Sequence, residues 1–250
     1  MIIEEILKSL KDQLSVRVVE EIRIGFYYTG VLLDDSGLGL AYSFRDESQE
    51  CCTTLKQAGA LEGPAWNLAG LAMSHRSLEA SLGVATLNAL VNQDIVGEEG
   101  DLLEFLELDG TEKIAIIGNI RPIARKLKQS GHEVLVFERK PLDPEVYPDW
   151  AAEYLLPKAD IAIITGVAFI NKTLDHLLDL AKNAKTIAIV GPSTPLAADI
   201  LREHDVTFLG GMIAEDAEKA MKIISQGGGT QELKAATRKV TVNLNKSTGR

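Results

Sequence analysis

The chain has 250 residues, 46% of them apolar and 25% charged, with a net charge of −10. That length suits one large domain or two ordinary ones with a core of useful size, and the acidic balance argues against general nucleic-acid binding. No apolar run approaches the roughly 20 residues that span a bilayer, and the only cysteines, Cys51 and Cys52, are adjacent, which excludes a disulfide framework and points to a reducing cytoplasm.

In chain order, Met1–Leu14 sets Ile3, Ile6, Leu7, Leu10 and Leu14 at helical spacing and predicts a surface helix. Glu4, Glu5 and the internal lysines leave no uninterrupted apolar stretch for a secretory signal. Val16–Leu33 is dominated by Val, Ile, Phe and Tyr. Val31–Leu33 and Leu38–Phe44 flank Asp34-Asp35-Ser36-Gly37, the pattern of an antiparallel hairpin. Helices are predicted at Ala65–Met73 and Leu78–Asn92. The second carries two apolar stripes, Leu78, Leu82, Ala85, Ala89 and Val84, Leu87, Val91. Such a helix is buried on two sides, here against its own hairpin and against a second domain or another subunit. These elements predict a small α+β domain over residues 1–100, with the boundary inside Gly97–Glu112.

From Lys113 onward strands and helices alternate. Strands are predicted at Lys113–Ile117, Glu133–Glu138, Ile161–Thr165, Thr186–Val190 and Thr207–Leu209. Helices are predicted near Ile123–Gln129, Asp149–Leu155, Leu174–Ala181, Leu196–Glu203 and Ala214–Ser225. Near-continuous apolar strands in such alternation predict an α/β domain over residues 101–250, a Rossmann-like doubly wound parallel sheet. The last fifteen residues, with Arg238, Lys239, Lys246 and Arg250, read as a solvated tail.

The chemistry gathers where strands end. Ile187–Val190 stops at Gly191-Pro192-Ser193-Thr194-Pro195, and similar strand-to-glycine events occur at Gly118 and Gly166. A helix start after such a strand offers N–H groups and the positive dipole end to an anion. The plainer reading makes Thr194 an N-cap and Pro195 the first helical residue. In Gly118-Asn119-Ile120-Arg121-Pro122-Ile123, Ile120 and Ile123 occupy places where a dinucleotide fingerprint wants glycine, although Glu138 stands where an acid would hold a ribose. A mononucleotide or another anionic metabolite fits this edge better than NAD. Asn171 either caps the following helix or reads a ligand edge. Gly210-Gly211 either lets backbone approach a ligand or makes a tight turn. Glu79 opens the doubly apolar helix and suits its dipole, or serves as an acid/base. His75, His132, His176 and His204 are scattered, with His176 and Asp179 a possible surface pair. No C-x-x-C or H-E-x-x-H appears, so no protein-only metal site is expected. Cys51-Cys52 supplies two soft ligands, too few for a closed site.

With these residues in hand, the chain resembles the family labelled "putative heavy-metal chelation". The resemblance rests on Gly25–Val31 with Gly39–Phe44, Ala58–Gly63, Ser77–Leu90, Phe137–Pro141, Leu156–Asp175 and Gly191–Leu196, which are spread over most of the chain. It implies an enolase-N-terminal-like first domain, a Rossmann-like second domain and a ligand cleft between them. It implies roles for Glu79, Asn88, Glu138, Thr165, Gly166, Asn171, Gly191, Pro192, Ser193 and Thr194. Sparse, unclustered thiols and imidazoles depart from the label, so any metal is expected inside an organic ligand (a tetrapyrrole, pterin or siderophore-like compound).

Three readings follow. In the first, an anionic or heterocyclic metabolite binds between the domains, with or without turnover. Gly118, Gly191 and Gly210 supply backbone donors, Ser193, Thr194 and Asn171 orient the ligand, and Glu79 or Glu138 is the acid/base. Asn119, Thr165, Gly166 and Pro192 complete that binding set. In the second, the protein binds a heavy metal or metallo-cofactor without chemistry. In the third, it is an NAD(P)-dependent oxidoreductase. The residues name no cofactor. The expected partner is a small molecule, with neither nucleic acid nor membrane, and the doubly apolar helix is compatible with a homodimer.

Overall fold

Two kinds of strand build two sheets: short hairpin-linked strands in the first part of the chain, and near-continuous β-branched runs separated by helices in the second. A computed structural model describes residues 1–44, 55, 57–93, 95 and 97–245. The Cys51-Cys52 pair, Lys246 and Arg250 lie outside the described residues. Helices α1 (Ile2–Ser9) and α2 (Lys11–Ser15) bury Ile2, Ile3, Ile6, Leu7 and Leu14. Strands β1 (Val18–Ile24), β2 (Tyr28–Leu33), β3 (Leu38–Tyr42) and β4 (Gly63–Pro64) form an antiparallel sheet in the order β3-β2-β1-β4. Its β2–β3 hairpin turns at residues 34–37, as the turn residues predict.

After α3 (Ala65–Gly70) and a 3-10 turn, α4 (Ser77–Val91) lies across β2 and β3. Every residue from Ala80 to Ala89 is buried, as two apolar stripes require. A Cβ at Gly83 would come within 1.9 Å of the Ala72 nitrogen, so only glycine lets α4 approach the 3-10 turn this closely.

The second unit runs through β5 (Glu98–Glu99), β6 (Lys113–Ile117), α5 (Arg121–Gln129), β7 (Glu133–Glu138), β8 (Tyr147–Pro148) and α6 (Ala152–Leu155). It continues with β9 (Ile161–Thr165), α7 (Val167–Ile170), α8 (Leu174–Ala181), β10 (Thr186–Val190) and α9 (Ala198–Arg202). It ends with β11 (Phe208–Ala214), α10 (Ala217–Ser225), α11 (Thr230–Leu233) and β12 (Thr237–Asn243). The eight-stranded sheet has the order β5-β12-β11-β10-β9-β6-β7-β8. From β11 to β8 all neighbours are parallel; β12 is antiparallel to β11, and β5 to β12. Numbered from β6, the parallel strands stand 3-2-1-4-5-6, the doubly wound Rossmann order. The chain winds outward from β6 to β8, then returns to β9, so the order reverses between β6 and β9. Among the described residues no helix is long and apolar enough to cross a membrane.

Three expectations are corrected. The solvated tail is instead β12, paired with β11 from Phe208–Asn243 to Ala214–Thr237; Val240, Val242 and Leu244 are buried, a period-two pattern on a basic background. Gly210-Gly211 makes no turn, because β11 runs straight through both residues. A Cβ at Gly211 would meet Leu196 at 3.0 Å, so glycine is there to admit a neighbouring side chain. Third, the helix expected at Leu196 starts at Ala198, with Ala197 as its cap, and Thr194 caps nothing.

That displaced start has a physical cause. The segment after β10 is tied to the first unit by buried hydrogen bonds. Leu196 N–H donates to Asn92 Oδ1 at 2.8 Å, and Asn92 Nδ2 donates to Thr194 O at 3.1 Å. Tyr42 N–H donates to Ser193 Oγ at 2.8 Å, and Asn88 Nδ2, bonded to Leu40 O at 2.8 Å within the first unit, also reaches Pro192 O at 3.5 Å. The doubly buried α4 thus meets its second face within the same chain.

Asn92 is 4% exposed, so Asn92→Ala strands a buried N–H and a buried C=O; urea unfolding is expected to lose about 2–4 kcal/mol, and a loss below about 1 kcal/mol would remove the tie from the stability argument. Lys172 has φ +62° and donates Nζ to Phe169 O and Ile170 O at 3.2 and 3.0 Å. Burial pulls its ammonium down to about 8 from an ordinary 10.5. The unfolded chain then holds the extra proton between those values, so stability rises with pH across that window. The urea midpoint of the wild type is expected to climb relative to that of Lys172→Met between pH 8 and 10; parallel profiles would show an unshifted lysine.

Candidate functional site

Parallel strands β6, β9 and β10 end side by side, so Gly118, Gly166 and Gly191 share one sheet edge. Their amides continue the ladder one residue beyond the strands. Gly118 N–H donates to Phe137 O at 2.8 Å, Gly166 N–H to Val190 O at 2.8 Å and Gly191 N–H to Gly210 O at 2.9 Å. The N–H groups of Gly118 and Gly191, expected to meet a ligand, point sideways along the sheet instead. What these glycines provide is room. Gly118 has φ +88°, and a Cβ there would lie 2.9 Å from Thr165 Cγ2. A Cβ at Gly166 would lie 2.5 Å from Thr194 Oγ1.

Above this edge opens a cleft of about 1150 Å³. Thr165, Gly166, Gly191, Pro192, Ser193 and Gly210 line its base. Asn119 and the turn into α5 flank it on the β6 side, with Arg121, Arg125 and Lys126. The segment joining α10 to α11, with Lys234, flanks it on the β11–β12 side, and Tyr27, Tyr28 and Tyr42 of the first sheet also line it.

The remaining residues proposed from sequence lie off this lining. Gly118 sits beside it, against Thr165. Thr194 is fully buried, and its Oγ1 lies against Gly166 without a hydrogen-bond partner. Asn171 Oδ1 accepts from the Thr173 N–H at 3.2 Å and from the Thr173 hydroxyl at 2.7 Å, holding the turn before α8. Glu79 Oε2 accepts from the Ser74 hydroxyl at 2.6 Å, with Arg76 at 3.8 Å. Glu138 Oε2 accepts from Asn119 N–H at 3.0 Å and Oε1 from Arg139 N–H at 2.8 Å, so it clamps the first turn.

Sequence reasoning passed over Gly227-Gly228-Gly229-Thr230, which lines the cleft. Three successive glycines before a threonine at a helix start were the available signal. Gly229 N–H donates to Glu232 Oε2 at 2.8 Å, and Thr230 Oγ1 lies 2.6 Å from the Tyr28 hydroxyl. Burial pushes that phenol's pKa up. Among the described residues, no group of three or more His, Cys, Asp or Glu is placed to hold a metal ion. His176 pairs with Glu153 at 2.6 Å rather than with Asp179, and His204 with Glu5 at 2.8 Å.

Comparison with known proteins places this geometry in a family. Two family models, both described as "putative heavy-metal chelation", match residues 7–91 and 101–243. An uncharacterised protein of Methanocaldococcus jannaschii is 32% identical over 261 residues, covering 98% of each chain. The crystal structure of a protein of unknown function from Pyrococcus horikoshii superposes with a TM-score of 0.87 at 30% identity, covering 97% of this chain and all of that one. One from Desulfitobacterium hafniense DCB-2 gives 0.84 at 26% identity, covering 96% of this chain and 98% of that one. With both units matched, and a relative and two crystal structures aligned almost end to end, the chain belongs to the family described as "putative heavy-metal chelation".

Proposed function

We propose that the protein binds an anionic small molecule, alone or as a metal chelate, in the cleft above the carboxyl edge of its parallel sheet. One observation carries this reading: the cleft lies where the strand order reverses between β6 and β9. In open α/β sheets that crevice is the ligand site. Its volume suits a small organic ligand rather than a bare ion. Tyr27, Tyr28 and Tyr42 supply one side of the lining, so residues 1–100 and 101–250 read as two domains sharing one site.

The donor set favours a chelate over a bare metal. Soft metals need thiolates or imidazoles, and no described residues cluster in that way. Guanidinium and ammonium groups on the lining repel a cation and attract an anion. A metal therefore enters this site as cargo inside an anionic ligand. The dinucleotide reading fits less well. Ile120 lines the cleft where a dinucleotide's pyrophosphate would have to approach the turn backbone over glycine, and both Glu138 oxygens are already engaged.

Val167 stands half-buried on the lining. In a thermal-shift screen of mononucleotides, pterins and anionic tetrapyrroles, a wild-type ligand is expected to raise Tm, and Val167→Trp to abolish that rise by projecting its indole into the base of the cleft. Zn²⁺ or Cd²⁺ alone is expected to leave Tm unchanged. Stoichiometric metal retained after purification and lost on Cys51→Ser/Cys52→Ser substitution would replace this reading with direct chelation.

A further inference from the structure

The charge on the cleft opposes the charge of the chain. The protein carries −10 overall, yet Arg121, Arg125, Lys126, Lys234 and Lys239 line the cleft against only Asp101 and Glu232. Both carboxylates are engaged: Asp101 with Lys239, and Glu232 with the Gly229 N–H. Among the described residues no carboxylate pairs with Arg121, Arg125, Lys126 or Lys234. Several cations off the lining do find carboxylates. Lys128, on α5 but off the lining, pairs with Glu145 at 2.8 Å, and Arg238 pairs with Glu215 at 3.6 Å.

The α5 arrangement is electrostatically unfavourable as it stands. Arg121 opens the helix, where the dipole favours carboxylates. Arg125 follows at i+4, where like charges repel. Two arginines rather than lysines offer planar forks that grip phosphate oxygens in pairs. Lys234 adds a point charge from the β11–β12 side of the same cleft.

We infer that the ligand of this cleft is a phosphorylated small molecule carrying at least two phosphate-class anionic groups, gripped by Arg121 and Arg125 from α5 and by Lys234 from the other side. This rests on the cleft being the binding site proposed above. The acidic remainder of the surface repels an extended polyanion, which selects a small ligand over nucleic acid.

Calorimetric titration of the full chain with inorganic pyrophosphate and with orthophosphate tests it. One saturable site is expected, with pyrophosphate bound at least about tenfold more tightly than orthophosphate. Arg121→Ala/Arg125→Ala should weaken pyrophosphate about thirtyfold or more and Lys234→Ala several-fold, while Lys128→Ala stays within about twofold of wild type. Equal affinity for the two anions, no binding, or an equal loss in Lys128→Ala overturns the inference. The two proposals separate cleanly. If pyrophosphate fails while another ligand binds and is blocked by Val167→Trp, the phosphate assignment falls and the cleft reading stands. If no ligand binds at all, both fall.

Discussion

A loop that leaves a buried strand and crosses beneath a helix carries backbone polar groups into a dry place, where each must find a partner. The segment Pro192–Leu196 is such a crossing, and Asn92 is its main support. One side chain accepts the Leu196 N–H and donates to the Thr194 carbonyl, satisfying a donor and an acceptor at once. Ser193 extends the tie by accepting the Tyr42 N–H. These bonds join α4, β3 and the exit of β10 into one piece. The base of the cleft and the tyrosines of the first sheet are therefore fixed relative to each other by the same few contacts.

The tie also explains where local sequence signals mislead. Ser193-Thr194-Pro195 has the composition of a helix start, and judged by itself it would cap one. Bonding to Asn92, far away in sequence, draws the segment into an irregular crossing, and α9 opens only at Ala198. The parallel strands were legible because burial on both faces leaves continuous β-branched runs such as Ile161–Ile164. Helix α8 was legible end to end because Leu174, Leu177, Leu178 and Ala181 make one uninterrupted stripe. Strand β12 was not, because its alternate positions are polar or basic and its partner β11 hides its pattern behind two glycines.

The site divides in the same way. Strand exits at Gly118, Gly166 and Gly191 could be located from sequence, since a parallel sheet brings successive exits to one edge. The direction of their N–H groups could not, because it depends on which strand lies beside which. Each amide extends the ladder to its neighbour and is spent there. The cationic lining was hidden for a related reason. Arg121 and Lys234 belong to distant parts of the chain, and a net charge of −10 masks any local surplus.

Rigidity and charge then bear on each other. Uncompensated cations gathered at a cleft lower the stability of the empty protein through mutual repulsion. A flexible scaffold would relieve that repulsion by moving the groups apart, and the site would be lost. Here α5 is held at its start by Glu138, whose carboxylate accepts the Asn119 N–H. On the far side Glu232 fixes Gly229, and Thr230 meets the Tyr28 hydroxyl. Glu138 and Glu232 thus secure backbone, and Asp101 pairs with Lys239, so none of the three neutralises the arginines. On the proposed reading, an anion entering between the two sides meets exposed cations on fixed backbone, and it removes their repulsion as it binds. Relief of that repulsion and the direct contacts act in the same direction, so by linkage the proposed ligand would stabilise the protein through both.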